Sequence, residues 1–429
     1  MFRVRVAQMA RQGTKGQTLG VSESQGAVAT DRVQLLDTLR GFALAGIVVI
    51  NAMSIFAVKG STPAFTVKIP VADRLLQDLI LFFVESKFFT LFSLLFGIGF
   101  AIQIASAERQ GTKFLPRISR RLTALWLFGF LHITLLWDGD ILVIYAVTGA
   151  ILILLRNISA RAARRWILGL LGVPALLVLA GFIYSLLARL TASGAASLSK
   201  TDAAIVSEFD KVSAAPSNFS TDYLASIADR IHSYLELAPL LLSRIPTVLA
   251  MFLIGLHLGK SGFFRNPGVH TATLLRARKL GLSVGFTLMI LVVSATKFLP
   301  AFSALLALIE DQYLAGPILC LGIASAVTLS YLKNPNRAHF RHFASVGQMA
   351  LTNYLTQSLV LAALSQGWGL GLATKLSGFE VLGVVTLLFG VQVMASAVWL
   401  RHFLYGPCEW AWRCITYWRR VPLRRESAA

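Results

Sequence analysis

The sequence predicts an all-α polytopic membrane protein, with about ten transmembrane helices in one bundle and both termini in the cytoplasm. Of its 429 residues, 56% are hydrophobic and only 14% are charged, whereas soluble globular proteins carry about 25% charged residues. Long uncharged runs recur between short charged segments, and Lys and Arg are distributed unevenly among those segments. These observations exclude a soluble fold and indicate a helical bundle in a membrane.

The uncharged runs give the predicted spans. A bilayer core of ~30 Å requires about 20 mostly apolar residues per helix, and the shorter runs reach that length when charged side chains at their ends extend to the interface. The predicted spans are 41–58, 88–107, 122–137, 141–155, 166–188, 237–259, 280–296, 312–332, 342–374 and 381–400.

The orientation follows from the 40 Lys and Arg residues. Most of them lie in the N-terminal segment up to Arg40, in the tail from Arg401, and in every second connection between predicted spans. By the positive-inside rule these segments face the cytoplasm. The net charge of +20 therefore reflects topology and attraction to membrane lipids, and it does not indicate nucleic-acid binding.

The chain divides into five predicted parts. Residues 1–31 form a basic tail without the apolar core of a signal peptide, and we expect it to be disordered. Two five-helix membrane halves follow, 32–190 and 239–420, and residues 421–429 form a cytoplasmic tail. The outer loop between the halves, 191–238, contains apolar residues at helical spacing, which predict an amphipathic helix on the outer membrane surface.

The first predicted helix carries a candidate anion site. Asp37 and Arg40 are three positions apart and share a helix face, and Asn51 lies ~16 Å further along the helix. In a functional interpretation, Arg40 faces a cytoplasmic cavity and holds an anion. In a structural one, Asp37 and Arg40 form an interfacial ion pair and Asn51 makes an interhelical contact.

The stretch "FLHITLLWDGDILVIYAV" places His132 inside the membrane near two carboxylates. Intramembrane ionisable groups are costly and usually face a bundle interior or a wet cavity, which makes His132 the leading candidate for a functional residue. Asp140 would fix its tautomer and raise its basicity, and Tyr145 lies close by in sequence. The alternative is a neutral histidine that is hydrogen-bonded to a neighbouring helix.

Three further polar residues are candidates for substrate binding. Glu85 closes the outer end of a span, where a carboxylate is either a base or merely solvated. Asn353 and Gln357 are one turn apart on another span, and they line a polar cavity or join helices. No His or Cys spacing suits a metal and no nucleotide-binding Gly-Lys-Ser/Thr loop is present, so we predict neither a metal nor a bound cofactor.

Several stretches together resemble a known family. "LDTLRGFALAGIVVIN", "FFTLFSLLFGIGFAIQ", "GFLHITLLWDGDILVIYAVTG", "GQMALTNYLTQS" and "GPCEWAWR" are similar to the YeiB-like bacterial inner-membrane proteins, whose C-terminal half is the domain of unknown function 418. The resemblance covers roughly residues 32 to 420. It implies a multi-pass protein of the bacterial inner (cytoplasmic) membrane.

That family is distantly similar to transmembrane acyltransferases. Their first helix commonly carries an Arg, ten intervening residues and a His implicated in acyl transfer from cytoplasmic acyl-CoA. Arg40 matches the Arg, whereas Asn51 occupies the position of the His. Because Asn cannot act as a general base, we hypothesise that His132 takes that role.

The resemblance implies a membrane acyltransferase that moves an acyl group from a cytoplasmic CoA thioester to an envelope glycan or lipid. In this hypothesis Arg40, supported by Arg120 and Arg121, holds the donor, and His132, oriented by Asp140, is the base. Asn51 would donate a hydrogen bond to the acyl carbonyl. The alternatives are a transporter or permease for a small or amphiphilic solute and a non-catalytic membrane scaffold; the sequence leaves the oligomeric state open.

Overall fold

The computed structural model describes residues 34–57, 70–213, 220–264 and 266–425. Within these ranges the chain forms helices and turns, with an isolated β-bridge between Phe403 and Arg424. The predicted tail at residues 1–31 lies outside the described residues, as does the end of the C-terminal tail from residue 426. The described part is all-α, as the sequence predicts.

The α-helices follow one another along the chain with mostly short connections. They are α1 (Gln34–Ile55), α2 (Val71–Phe83), α3 (Lys87–Arg109), α4 (Phe114–Leu135), α5 (Leu142–Leu155), α6 (Ala160–Ala188), α7 (Ala192–Ser213), α8 (Tyr223–Glu236), α9 (Ala238–Ser243), α10 (Ile245–Lys260), α11 (Thr271–Phe298), α12 (Ala301–Glu310), α13 (Gly316–Lys333), α14 (Ala338–Gln348), α15 (Ala350–Ser365), α16 (Gly378–His402) and α17 (Pro407–Tyr417). A π-helical segment, Asp311–Ala315, joins α12 to α13.

Among the described residues, seven segments are long and apolar enough to cross a membrane. They are α1, α2 with α3, α6, α9 with α10, the segment ending in α11, α12 with α13, and α16. The chain is therefore a helical membrane protein. The three remaining predicted spans correspond to α4, whose first turns carry several arginines, to α5, which has 14 residues, and to α15, which has 16.

Close helix packing forms the centre of the bundle. A Cβ atom on Gly97 of α3 would lie 2.2 Å from the carbonyl oxygen of Phe252, and one on Gly255 of α10 would lie 2.1 Å from that of Leu94. Only glycine lets the two backbones approach this closely, as small residues do at membrane helix interfaces. The recurring small residues of α3 therefore serve helix packing.

The region predicted as an outer loop contains more helix than the sequence pattern predicts. α7 occupies residues 192–213, where the sequence shows mainly small and polar side chains. Asp202 of α7 accepts hydrogen bonds from the backbone of Phe302 at the start of α12 and from Arg189 at the end of α6. This contact between distant parts of the chain explains why the segment is ordered as a helix.

The helix α4 positions the candidate site. Its first turns pack against α17, and its last turns pack against α5 and α8. We call these two regions the arginine end, formed by Arg40, Arg117, Arg121 and Arg413, and the hairpin end, formed by residues 136–141 with the side chains packed against them.

Candidate functional site

At the hairpin end, a buried histidine faces a buried carboxylate. His132 lies in the last turn of α4, and its Nδ1 atom is 3.0 Å from Oδ2 of Asp140. Both side chains are fully shielded, with 0% exposure. The structure therefore brings together the two residues that the sequence hypothesis pairs.

The Asp140 carboxylate is held by the first turn of α5. Its Oδ1 atom accepts a hydrogen bond of 2.8 Å from the backbone N–H of Val143 in the first turn of α5. Gly129 leaves the space for this arrangement, because a Cβ atom there would lie 2.8 Å from Oδ1. With Oδ1 engaged, Oδ2 faces the imidazole.

Several buried polar atoms around His132 have unmet hydrogen-bonding capacity within the described part of the chain. Nδ1 and the Asp140 Oδ2 atom are close enough for a hydrogen bond but poorly aligned, and Nε2 has no partner. The ring of Tyr354 lies 5.1 Å from the imidazole, and its hydroxyl and that of Ser358, one turn along α15, are also unpaired. Because buried polar groups are normally paired, this cluster is the strongest candidate for a ligand site at the hairpin end.

The helix α8 covers the hairpin end. Tyr223 and Arg230 donate hydrogen bonds to backbone carbonyls at the end of α4, and Ser233 donates one to Asp138 in the hairpin. Burial raises the pKa of the Asp138 carboxyl above its ordinary value, and the hydrogen bond from Ser233 partly offsets this. The helix that the sequence places on the membrane surface therefore packs on the candidate site.

The arginine end carries a positive excess. Arg121, at the start of α4, lies within electrostatic range of Arg40, Arg117 and Arg413. Arg40 donates a hydrogen bond of 2.7 Å to Asp37, which also lies within range of Arg413. In this group of five side chains, one carboxylate faces four guanidinium groups. The arrangement favours binding of an anion.

Three of these guanidinium groups stack on aromatic rings. The pairs are Arg121 over Trp412 at 3.6 Å, Arg117 over Tyr417 at 4.3 Å and Arg413 over Tyr405 at 4.2 Å, each from Cζ to the ring centroid. Stacking orients a guanidinium group while its edge remains able to bind a phosphate. Sequence analysis did not include Arg117 and Arg413 among the binding residues, although the Trp, Tyr and Arg residues close together around "CEWAWRC" are a signal of such stacking.

Asn353 and Gln357, predicted to bind substrate, lie in a hydrogen-bond network between α15 and α16. Asn353 donates 3.0 Å to Ser396, and Gln357 donates 2.7 Å to Gln392, which donates in turn to the carbonyl of Asn353. The network accounts for these residues as interhelical contacts. The Oε1 atom of Gln357 is buried without a partner among the described residues, so its binding role stays a prediction.

Two other predicted residues lie beside α3. The Tyr145 hydroxyl donates 2.8 Å to the carbonyl of Phe89 and is 2.8 Å from Oγ of Ser93, so its hydrogen bonds hold α5 to α3. Glu85 lies in the turn between α2 and α3, with its side chain exposed. No described hydrogen bond or ion pair joins Tyr145 or Glu85 to His132 or Asp140.

Asn51 and Arg120 complete the predicted set. Asn51 is half-buried in α1, and its neighbours Val48 and Ala52 belong to the same apolar cluster as Trp137 of the hairpin. Asn51 therefore lies toward the hairpin end, whereas Arg40 of the same helix lies at the arginine end. Arg120 is half-buried beside Arg121, and its Nε atom has no partner within the described residues.

The two ends are aligned along α4. Arg121 and His132 are eleven positions apart in this helix, which is close to three full turns and ~16 Å. They therefore share one face of α4. The same spacing separates Arg40 from Asn51 in α1.

Comparison with known proteins places the chain in a family. The model of DUF418, described as a protein of unknown function, matches residues 258–419. The uncharacterised protein YxaH of Bacillus subtilis is 30% identical over 95% of this chain and 100% of its own length. The chain belongs to the YeiB-like DUF418 family.

Other members are similar over comparable lengths. The uncharacterised protein YeiB of Escherichia coli is 30% identical over 90% of this chain and 96% of its own length. An uncharacterised 39.9 kDa protein from the amylase 3′ region of Bacillus acidopullulyticus is 28% identical over 93% and 98%. No solved structure matches the chain. For this DUF418 protein, the similarity to transmembrane acyltransferases stays a prediction.

Proposed function

We propose that the protein is a membrane acyltransferase that moves an acyl group from cytoplasmic acyl-CoA to a hydroxyl or amine on an envelope glycan or lipid. The observation that supports this is the alignment along α4 of two chemically different groups. Arg121 belongs to a cluster suited to phosphate groups, and His132 is a buried base ~16 Å away on the same helix face. One extended CoA thioester could reach from the first group to the second.

In the proposed topology, α4, α5 and α15 cross the bacterial inner membrane together with the seven apolar segments, which gives ten spans. The arginine end and both termini face the cytoplasm, and the hairpin end faces outward. The concentration of Arg residues at the start of α4 and in the segment that follows α17 supports this orientation. The loop 191–238 then separates two five-helix halves, 32–190 and 239–420.

At the cytoplasmic end, the arginines would bind the phosphate groups of the donor. Guanidinium groups form strong charge-assisted hydrogen bonds with phosphate oxygens. Arg40 and Arg121, with Arg117 and Arg413, supply these donors, and Arg120 adds positive charge nearby. Asp37 orients Arg40 through their hydrogen bond.

At the outer end, His132 would act as the general base. Its Nε2 atom takes the proton from the acceptor O–H or N–H while the acceptor oxygen or nitrogen attacks the thioester carbonyl carbon. The C–S bond then breaks, and the proton passes from the imidazolium to the leaving sulfur. The products are an ester or amide and CoA thiol. Asp140 holds the ring and stabilises the imidazolium, and the Asn51 amide would stabilise the developing oxyanion.

Binding of acetyl-CoA and longer acyl-CoAs to purified full-length protein in nanodiscs tests the donor end. Arg121→Gln should weaken binding at least about tenfold, because a hydrogen bond to a charged group contributes about 1.5–3 kcal/mol. Arg164→Gln is the matched control, since it removes an equal charge from an exposed position of α6, and it should bind like the wild type.

Two results would contradict the proposal. One is the absence of saturable acyl-CoA binding by folded wild-type protein. The other is movement of a solute into proteoliposomes that depends on His132 but yields no acylated product, which would favour a transporter.

A further inference from the structure

Arg230 of α8 is a buried charge at the hairpin end. It is 2% exposed and is the largest of the fully buried side chains in the described part of the chain. Placing a guanidinium group away from water costs several kcal/mol unless a counter-charge and a full set of hydrogen bonds compensate for it. The partners of this side chain therefore decide whether its role is purely structural.

The hydrogen bonds of Arg230 use part of its capacity and involve neutral acceptors. Nε donates 3.1 Å to the carbonyl of Thr134, and Nη1 donates 2.9 Å to Ser226 and 3.2 Å to Gln366. The Nη2 atom, which carries two N–H groups, is buried and has no partner among the described residues. A role as a cap for the end of α4 explains Nε and Nη1 and leaves Nη2 unexplained.

Two carboxylates, Asp138 and Asp229, lie within electrostatic range of Arg230, and neither fills this position. Asp138 lies within electrostatic range of Arg230, but its Oδ2 atom accepts the hydrogen bond of Ser233, and no direct ion pair with Arg230 forms. By contrast, Arg189 on α6 makes an ion pair of 2.8 Å with Asp202. The Arg230 guanidinium thus keeps a free donor group and lacks a direct ion pair.

This free donor group lies at the same end of the bundle as the proposed catalytic pair. Thr134, which binds Nε, is two residues beyond His132 in α4. Asp138 is within electrostatic range of both His132 and Arg230. An anion bound at Nη2 would therefore lie at the hairpin end, where the acceptor would approach His132.

We propose that Arg230 recognises an oxyanion of the acceptor, so that the acylated molecule carries a phosphate or carboxylate near its reactive hydroxyl or amine. The assignment of this anion to an acceptor rests on the proposed function. The anion site itself rests on the contacts of Arg230 alone.

Hydrogen–deuterium exchange of the full-length protein in phosphatidylcholine nanodiscs tests the anion site. Inorganic phosphate is titrated at constant ionic strength against chloride, without acyl-CoA. Phosphate should slow exchange in α8 saturably, because it would link Arg230 to the hairpin. The readout is specific to α8, so phosphate bound at the arginine end, which would affect α17, is observed separately.

Two variants and one control make the test specific. Arg230→Lys keeps the charge but loses the forked geometry of the guanidinium group. Gln366→Glu supplies an internal carboxylate next to Nη1. Each variant should weaken the apparent phosphate affinity, measured from the protection of α8, about tenfold or more. Arg189→Gln should leave it unchanged, because that charge is already paired. The proposal is overturned if phosphate does not protect α8 in the wild type, or if it protects α8 in both variants as strongly as in the wild type.

A second arm identifies the source of the anion. In nanodiscs that contain phosphatidylglycerol, protection of α8 without added phosphate would assign the site to a lipid headgroup. Protection that requires added phosphate would assign it to a phosphate-bearing acceptor outside the bilayer. This exchange experiment contains no acyl-CoA, so its result holds even if the protein fails to bind acyl-CoA. Conversely, acyl-CoA binding without phosphate protection of α8 refutes only the anion site.

Discussion

Lys87 and Arg230 are both buried cations, and the protein satisfies them differently. The Nζ atom of Lys87, at the start of α3, lies 3.1 Å from both carboxylate oxygens of Asp311 and 2.8 Å from the carbonyl of Leu81. Lys87 and Asp311 are each 1% exposed. All three ammonium protons therefore have acceptors, and the charge is neutralised. Arg230 has neutral acceptors and an unpaired Nη2 atom.

This difference separates a structural charge from a candidate binding residue. A buried ion pair is stable only when its geometry and remaining hydrogen bonds are nearly complete, and the Lys87–Asp311 pair fastens α3 to the π-helical segment. His132 and Arg230 instead keep polar atoms that nothing within the described chain satisfies. A group that must bind a ligand has to keep some of its capacity free.

The largest effect is expected at the Lys87–Asp311 pair. Lys87→Met leaves a buried carboxylate without its partner, which typically costs about 3–5 kcal/mol. Thermal unfolding in nanodiscs should show a large loss of stability. The double variant Lys87→Met with Asp311→Leu should recover much of it, and a double variant as unstable as the single one would contradict a structural ion pair.

His132 should behave in the opposite way. His132→Gln should lower acyl transfer by about 10²- to 10⁴-fold, the usual contribution of a general base, because the amide cannot accept the proton. The thermal unfolding temperature should change much less than in Lys87→Met, since the glutamine amide can still donate a hydrogen bond to Asp140 and Nε2 has no protein partner within the described residues. Transfer rates and unfolding curves of the same samples check this; retained transfer would remove His132 from the mechanism.

Glu409 gives an intermediate effect with a defined pH dependence. This residue of α17 accepts hydrogen bonds from the backbone of Leu351 and Thr352 and from the Thr352 hydroxyl, and so caps the start of α15. Glu409→Ala should cost about 1–2 kcal/mol, as the loss of a helix cap does. Thermal unfolding measures this loss.

Burial raises the pKa of Glu409 above its ordinary value of 4.5. The folded protein therefore holds this proton more tightly than the unfolded chain, and this contribution to stability is lost as the pH rises from about 4.5 through the raised folded pKa. Glu409→Gln, which does not titrate, should lack that loss. Unfolding curves of both proteins with parallel pH dependence would show that Glu409 does not titrate in this way.

The smallest effect is expected at Tyr145. Its hydroxyl bonds to α3, so Tyr145→Phe should cost about 1 kcal/mol of stability, the net contribution of a typical hydrogen bond, and leave acyl transfer unchanged. Unfolding and transfer assays on one preparation distinguish the two roles. A selective loss of transfer would restore Tyr145 to the substrate site that the sequence hypothesis gives it.

The sequence by itself determined the class of the molecule and one central contact. Hydropathy and charge spacing are local properties of the chain, so they were sufficient to predict an all-α membrane protein, and seven of the predicted spans correspond to long apolar helices. The pairing of His132 with Asp140 was also predictable, because eight positions and one tight hairpin separate them.

Only the tertiary structure decided which residues from distant parts of the chain come into contact at the two ends of α4 and at Lys87. Arg230, Arg413 and Asp311 lie far along the chain from Thr134, Arg121 and Lys87, and no periodicity in the sequence relates positions so distant. The packing of α8 on the hairpin and of α17 on α4 brings them together. Which buried charges are satisfied is a property of those contacts, and that distinction separates the candidate site from the scaffold.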